Sequence, residues 1–208
     1  MRPADPENQK RQIDKILRNA RRLFAQRGYD RVSMDKIAES CRLTKPALYY
    51  YFKDKDSVLL ATLRAHWQQQ ALTLLSFQPA PDLRQTLTDF AGRLLKEAHR
   101  PENNDTIRIV LAESARRQEI GQAFFKEFGP LFGEKLTGLL EPYLQPRHSR
   151  RAILALFHQF VGSLGHYSLM SQIFKAGRRY LPGQKAYVEL LVENFIKALS
   201  APGLPAKR

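Results

Sequence analysis

The chain has 208 residues, 43% hydrophobic and 26% charged, the balance of a soluble globular protein long enough to bury a core in one domain or two. No apolar run approaches the roughly 20 residues that span a bilayer, and Met1-Arg2-Pro3-Ala4-Asp5-Pro6 lacks an apolar signal core, so a cytoplasmic location is expected. The formal charge of +14 favours a polyanionic partner, with 14 Lys and Arg against 8 Asp and Glu in residues 1–60 and the rest of the excess spread along the chain. A single cysteine, Cys41, excludes an internal disulfide and thiolate zinc sites; it reads as a small apolar residue in a turn, with redox sensing as the alternative.

Residues 1–9 are polar with two prolines, and a helix is expected from Lys10, where Ile13, Ile16, Leu17, Ala20, Leu23 and Phe24 recur at helical spacing up to Gly28. The stretch from Ser33 to Lys55 then reads as two short helices split by a tight turn. Ser33 can cap the first and Thr44 the second, each side-chain oxygen accepting an orphan amide of the first turn. Cys41-Arg42-Leu43 is too short for anything but a turn, and Pro46 falls in the first turn of the second helix, where its missing N–H costs little. In that helix Leu48 and Phe52 share one stripe and can reach a core. Ala47 and Tyr50 point outward, with Tyr49 and Tyr51 on the flanks and Lys45, Lys53 and Lys55 close by. A helix-turn-helix that places its second helix in a major groove and grips phosphates with hydroxyls, amides and lysines needs this equipment.

Residues 10–57 resemble the DNA-binding domain of the TetR family of transcriptional repressors. The resemblance rests on Gly28-Tyr29, Ser33, Ile37-Ala38, Thr44-Lys45-Pro46-Ala47-Leu48-Tyr49-Tyr50-Tyr51-Phe52 and Lys55. One position departs: the family usually has glycine where this chain has Arg42, so Arg42 carries left-handed strain, the turn differs, or the side chain adds a phosphate contact. Ser33 and Thr44 are expected at phosphates, and Ala47 and Tyr50 at base edges. Lys45, Tyr49 and Lys55 match family positions that touch backbone or bases. Tyr51 fits packing at the domain's edge as well as a DNA contact.

Asp54 is a plausible cap for a fourth helix over about 55–76, and Phe77-Gln78-Pro79-Ala80-Pro81 is the clearest linker. A helix from Asp82 follows. Arg100 to Asn104 breaks the pattern, and Asp105 can cap a helix to about Arg117. Ile120 to Leu144 reads as helical with a kink at Gly129-Pro130. The last two helices, about 149–176 and 183–200, are apolar over more than one face and call for a cover on both sides. In the TetR family such helices form a four-helix dimer interface, so the resemblance implies a homodimer through 149–176 and 183–200.

No catalytic constellation is legible. The five histidines make no His-x-x-x-His pair, and there is no phosphate loop or nucleophile elbow, so neither an enzyme, a metal site nor a cofactor is expected. The expected fold is all-α, about nine helices: a three-helix DNA-binding domain over 10–57 joined to a larger effector-binding and dimerisation domain over 58–200. By the same resemblance, helices of the second domain enclose a small molecule. Leu63, Trp67, Phe90, Phe124, Phe128, Phe160, Tyr167 and Met170 are candidate lining residues, with His66 and His166 as polar contacts, which would suit a mostly apolar effector. The function implied is a repressor on a palindromic operator, released by that effector. On the same fold an activator or ligand-independent regulator would bind DNA equally well. A helical lipid carrier or an enzyme would need an open apolar tunnel or a catalytic constellation.

Overall fold

Polar stretches at both ends and caps at the starts of most helices set the architecture seen in a computed structural model of the chain, which describes residues 6–130, 138, 140–143, 149–177 and 179–200. Among these residues the fold is all-α, as expected. The elements are α1 (Pro6–Arg27), α2 (Met34–Ser40), α3 (Lys45–Tyr51), α4 (Lys55–Leu75), α5 (Leu83–Ala98), α6 (Pro101–Glu113), α7 (Gln118–Pro130), α8 (Arg150–Ser168) and α9 (Gln184–Ser200). A 3-10 turn covers Glu141–Tyr143 and a π-helical turn Leu169–Ile173.

Contacts divide the chain into two compact units, one of Met1–Gln69 with Asp105–Glu127 and the other of Gln70–Asn104 with Phe128–Arg208. The first unit buries Ile16, Ala20 and Phe24 of α1, Ile37 and Ala38 of α2, Leu48 of α3, and Val58, Leu59 and Leu63 of α4. In the second, α5 packs on α8 and α9. A relay of rings runs through its core: Phe77, Phe90, Phe157, Phe160 and Phe195 sit with successive centroids 5.6, 5.7, 6.4 and 5.4 Å apart. Ring pairs at these spacings add to the area they bury.

Four boundaries differ from the sequence reading, each for a local reason. The first helix starts at Pro6, not Lys10, because proline at the first helical position loses no bond and Glu7 favours the positive end of the helix. Pro101 does the same for α6, and the amides of Asn103 and Asn104 bond the Arg100 carbonyl at 3.0 and 3.2 Å, so the expected break at 100–104 is helical. That helix stops at Glu113 and not Arg117, since the amides of Arg116 and Arg117 both turn back to the Glu113 carbonyl at 3.0 Å. The long helix expected over 149–176 ends as a π turn: the Phe174 amide reaches the Leu169 carbonyl at 3.1 Å and Lys175 takes φ +55°. The kink expected at Gly129-Pro130 adjoins residues 131–137, outside the described residues.

The end of α2 explains Arg42. Its amide donates to the Glu39 carbonyl at 2.9 Å while the Leu43 amide donates to the Ala38 carbonyl at 2.9 Å, the paired bonds of a Schellman cap with Arg42 at its left-handed position, φ +55°. Of the three readings open for this residue, the turn keeps its glycine geometry and the arginine bears it. A Cβ at positive φ costs on the order of 1 kcal/mol. Arg42→Gly should therefore stabilise the chain by about 0.5–1 kcal/mol in chemical denaturation; an unchanged or lower midpoint would contradict the strain.

Candidate nucleic-acid interface

The two short helices are fixed by their first turns. The Ser33 Oγ accepts from the Lys36 amide at 3.3 Å, and the Thr44 Oγ1 accepts from the Ala47 amide at 3.4 Å. Each cap uses an oxygen lone pair and leaves the hydroxyl proton free to donate. Leu48 is fully buried, whereas Tyr49 and Tyr50 are 45% and 70% exposed, so α3 presents one anchored stripe and one open, hydroxyl-bearing face. Ala47, Tyr51 and Phe52 are half-buried, and Ser33, Arg42, Thr44, Lys45 and Lys53 are exposed. The Tyr50 and Tyr51 rings meet edge to face with centroids 5.1 Å apart, which orients the outward ring.

The lysines divide. The Lys45 ammonium straddles the Asp35 carboxylate, 3.0 Å from one oxygen and 3.1 Å from the other, and this hydrogen bond and charge raise the lysine's pKa. The Lys55 ammonium donates to the Tyr29 carbonyl at 2.9 Å and lies 4.0 Å from the centre of the Tyr29 ring. Lys55 thus has a structural task within the unit, which the motif alone does not reveal. At the start of α4, Asp54 and Ser57 cap reciprocally: the Ser57 amide donates to the Asp54 carboxylate at 2.7 Å and the Asp54 amide to the Ser57 hydroxyl at 3.2 Å. The Ser57 amide holds the Asp54 carboxyl below the usual carboxylate range.

Tyr29 is the centre of a cluster that no sequence motif announces. Its hydroxyl bonds the Asp56 carboxylate, and the Arg117 guanidinium lies 4.1 Å from its ring centre while pairing with Asp56 and, at 3.4 Å, with the buried Glu113. Burial first, then the bond to Asp56, pushes the Tyr29 phenol well above its ordinary range. The stretch Ala112 to Arg117 is mostly exposed, with Glu113 buried and Arg117 half-buried, and through Arg117 it joins α6 to the start of α4 inside the first unit. Residues so far apart in the chain carry no sequence signal of this contact.

The candidate effector residues are shared between the units. Leu63, His66, Trp67 and Phe124 belong to the first, where Trp67 and Phe124 meet edge to face at 5.3 Å. Phe90, Phe160, His166, Tyr167 and Met170 belong to the second, and the side chain of Phe128 lies outside the described residues. Phe90 and Phe160 are core rings, His166 is exposed, and Tyr167 stacks on Tyr187 at 4.6 Å while its hydroxyl donates to the Pro182 carbonyl at 3.1 Å. Phe160 also lines a groove of about 260 Å³ between α8 and α9 with Leu156, Leu191 and Phe195. Tyr167 borders a recess of about 230 Å³ with Ser171 and Leu181. Among the described residues no group of three or more His, Cys, Asp or Glu could hold a metal ion, and no helix is long and apolar enough to cross a membrane.

Comparison with known proteins places this geometry. Residues 16–62 match the family model described as bacterial regulatory proteins, tetR family. The HTH-type transcriptional regulator YuxN of Bacillus subtilis is 32% identical over a match covering 41% of this chain and 35% of that protein. The biofilm operon icaADBC negative transcriptional regulator IcaR of Staphylococcus aureus is 47% identical over 22% of this chain and 24% of its own length. The chain therefore spans about a third and a quarter of these curated relatives in the matches. Over nearly the full length, the fold is that of a TetR family transcription regulator from Marinobacter aquaeolei, with TM-score 0.66 and 21% identity, covering 98% of this chain and 100% of that one. Residues 16–62 thus carry a helix-turn-helix that matches the tetR family of bacterial regulatory proteins, and over nearly its full length the chain shares the fold of a TetR regulator.

Proposed function

We propose that the protein is a cytoplasmic homodimeric repressor, with residues 10–57 reading a palindromic operator and residues 58–200 carrying dimerisation and the effector. The observation that carries the DNA half is α3: a seven-residue helix anchored by Leu48 that leaves Tyr49, Tyr50 and Lys45 open to solvent. In a helix-turn-helix the N-terminal residues of the second helix reach base edges while flanking groups hold phosphates. Ala47 and Tyr50 contact bases; Ser33, Thr44, Lys45, Tyr49 and Arg42 hold the backbone, and Lys55 steadies Tyr29 as well as facing phosphate. IcaR, a negative regulator by name, supports the repressing sign.

A second copy suits the outer surface of α8 and α9, which carries the apolar groove along Leu156 and Leu191, and α9 also exposes Leu190. Two heads on one duplex must meet half-sites about 34–36 Å apart or a multiple of that. An apolar effector that binds better to a state with another head spacing releases the operator by its difference in affinity for the two states. Apolar side chains such as Trp67 and Phe124 fit that class of ligand.

Two measurements test this reading. In gel-shift titrations Lys45→Ala should weaken binding uniformly across duplex sequences and Tyr49→Phe should weaken it by about 1 kcal/mol, the scale of one hydrogen bond; unchanged affinity in both would remove these contacts. Leu191→Arg should convert dimer to monomer in sedimentation and abolish tight operator binding. A dimer that survives it would place the interface elsewhere.

A further inference from the structure

The acidic residues of the reading head are mostly accounted for by the fold. Asp54 caps α4, Asp56 bonds Tyr29 and Arg117, and Asp30 pairs with Arg116 at 3.4 Å. Asp35 is different. Its carboxylate is 62% exposed and its ion-pair partner is Lys45, the first residue of α3, itself 57% exposed. The N-terminal end of the second helix is the part of a helix-turn-helix brought closest to DNA. A carboxylate within 3.0 Å of the ammonium at that position is therefore carried toward phosphate along with it.

Two physical effects follow, of opposite sign. The pair fixes a flexible lysine over both carboxylate oxygens, so the ammonium is already placed when the head docks. It also neutralises one of the cations that generic attraction to DNA depends on, because that attraction scales with the number of phosphates neutralised and is insensitive to sequence. Arg42, exposed and in no ion pair among the described residues, keeps its full attraction. A helix-start carboxylate gains a little from the helix dipole, but Asp35 could have that benefit without facing the first residue of α3.

We infer that Asp35 is a specificity-determining residue: by holding Lys45 it subtracts about one cation from the head's sequence-independent attraction for DNA, so that binding leans more on the contacts that read bases. This rests on the DNA-binding reading of α3 proposed above. A head that gripped any phosphate with all its lysines would be retained by the great excess of non-specific sites in a genome.

The test uses the full-length chain and a random-sequence duplex of about 30 bp, with affinity followed by fluorescence anisotropy between about 50 and 200 mM salt. Asp35→Asn should bind this duplex about tenfold tighter at the low-salt end, and its plot of log affinity against log salt should steepen by about 0.9, the increment of one phosphate contact. Asp35→Ser, a second neutral residue suited to a first helical turn, should do the same. Glu189→Gln makes the same change in net charge on α9 and should leave the slope as it is in the wild type. Asp35 variants with wild-type affinity and slope, or weaker binding, would overturn the inference and leave the DNA-binding reading intact. An equal steepening in Glu189→Gln would overturn it by reducing the effect to net charge. A wild-type chain that shows no salt-dependent binding would overturn the reading of α3 and the inference together.

Discussion

A helix of seven residues does not hold itself together in water, because nucleating the first turn costs more than so few bonds return. The α3 helix exists because of what surrounds it: the Thr44 cap at one end, proline in its first turn, and above all Leu48, whose side chain is wholly buried against the head. Truncating such a leucine typically costs about 2–5 kcal/mol. Everything exposed on α3 depends on that one buried stripe, since it sets the rotation of the helix and so decides that Tyr50 faces outward and Leu48 inward. The Schellman cap at the end of α2 does the complementary work, turning the chain sharply enough for α3 to begin at Lys45.

The head has a wider foundation than its motif. Tyr29 and the segment 105–127 lie in the same compact unit as α1 to α3, joined by Arg117 between Tyr29, Asp56 and Glu113. The division expected at residue 57 follows the chemistry of DNA reading; compactness runs along α4 to Gln69 and takes in parts of α6 and α7. A half-buried arginine that satisfies two carboxylates and covers an aromatic ring is costly to leave unpaired, which ties the end of α6 to the start of α4.

What is legible in the sequence is local. Ser33, Thr44, Asp54 and Asp82 each cap the helix that their spacing announces, and the apolar stripe of α1 turns inward as periodicity requires. The helix starts at Pro6 and Pro101 escape a reading by pattern, because the polar residues after each proline outweigh its fitness for a first helical position. Pairings such as Asp35 with Lys45 or Arg117 with Tyr29 join elements, and no spacing rule within one helix foretells them. The candidate effector residues stand out in the sequence by ring size and period. Those properties select core: Phe90, Phe157, Phe160 and Phe195 pack on each other whatever else they do.

Paired reading of a duplex by two copies of α3 is the property on which the proposed repression rests. Selection of bound sequences from a random duplex library by the purified full-length chain addresses it directly. The expected result is enrichment of an inverted repeat whose half-site centres lie one helical turn or a multiple of it apart, about 10–10.5 bp each. No enrichment, or enrichment of a single unrepeated element, would contradict it.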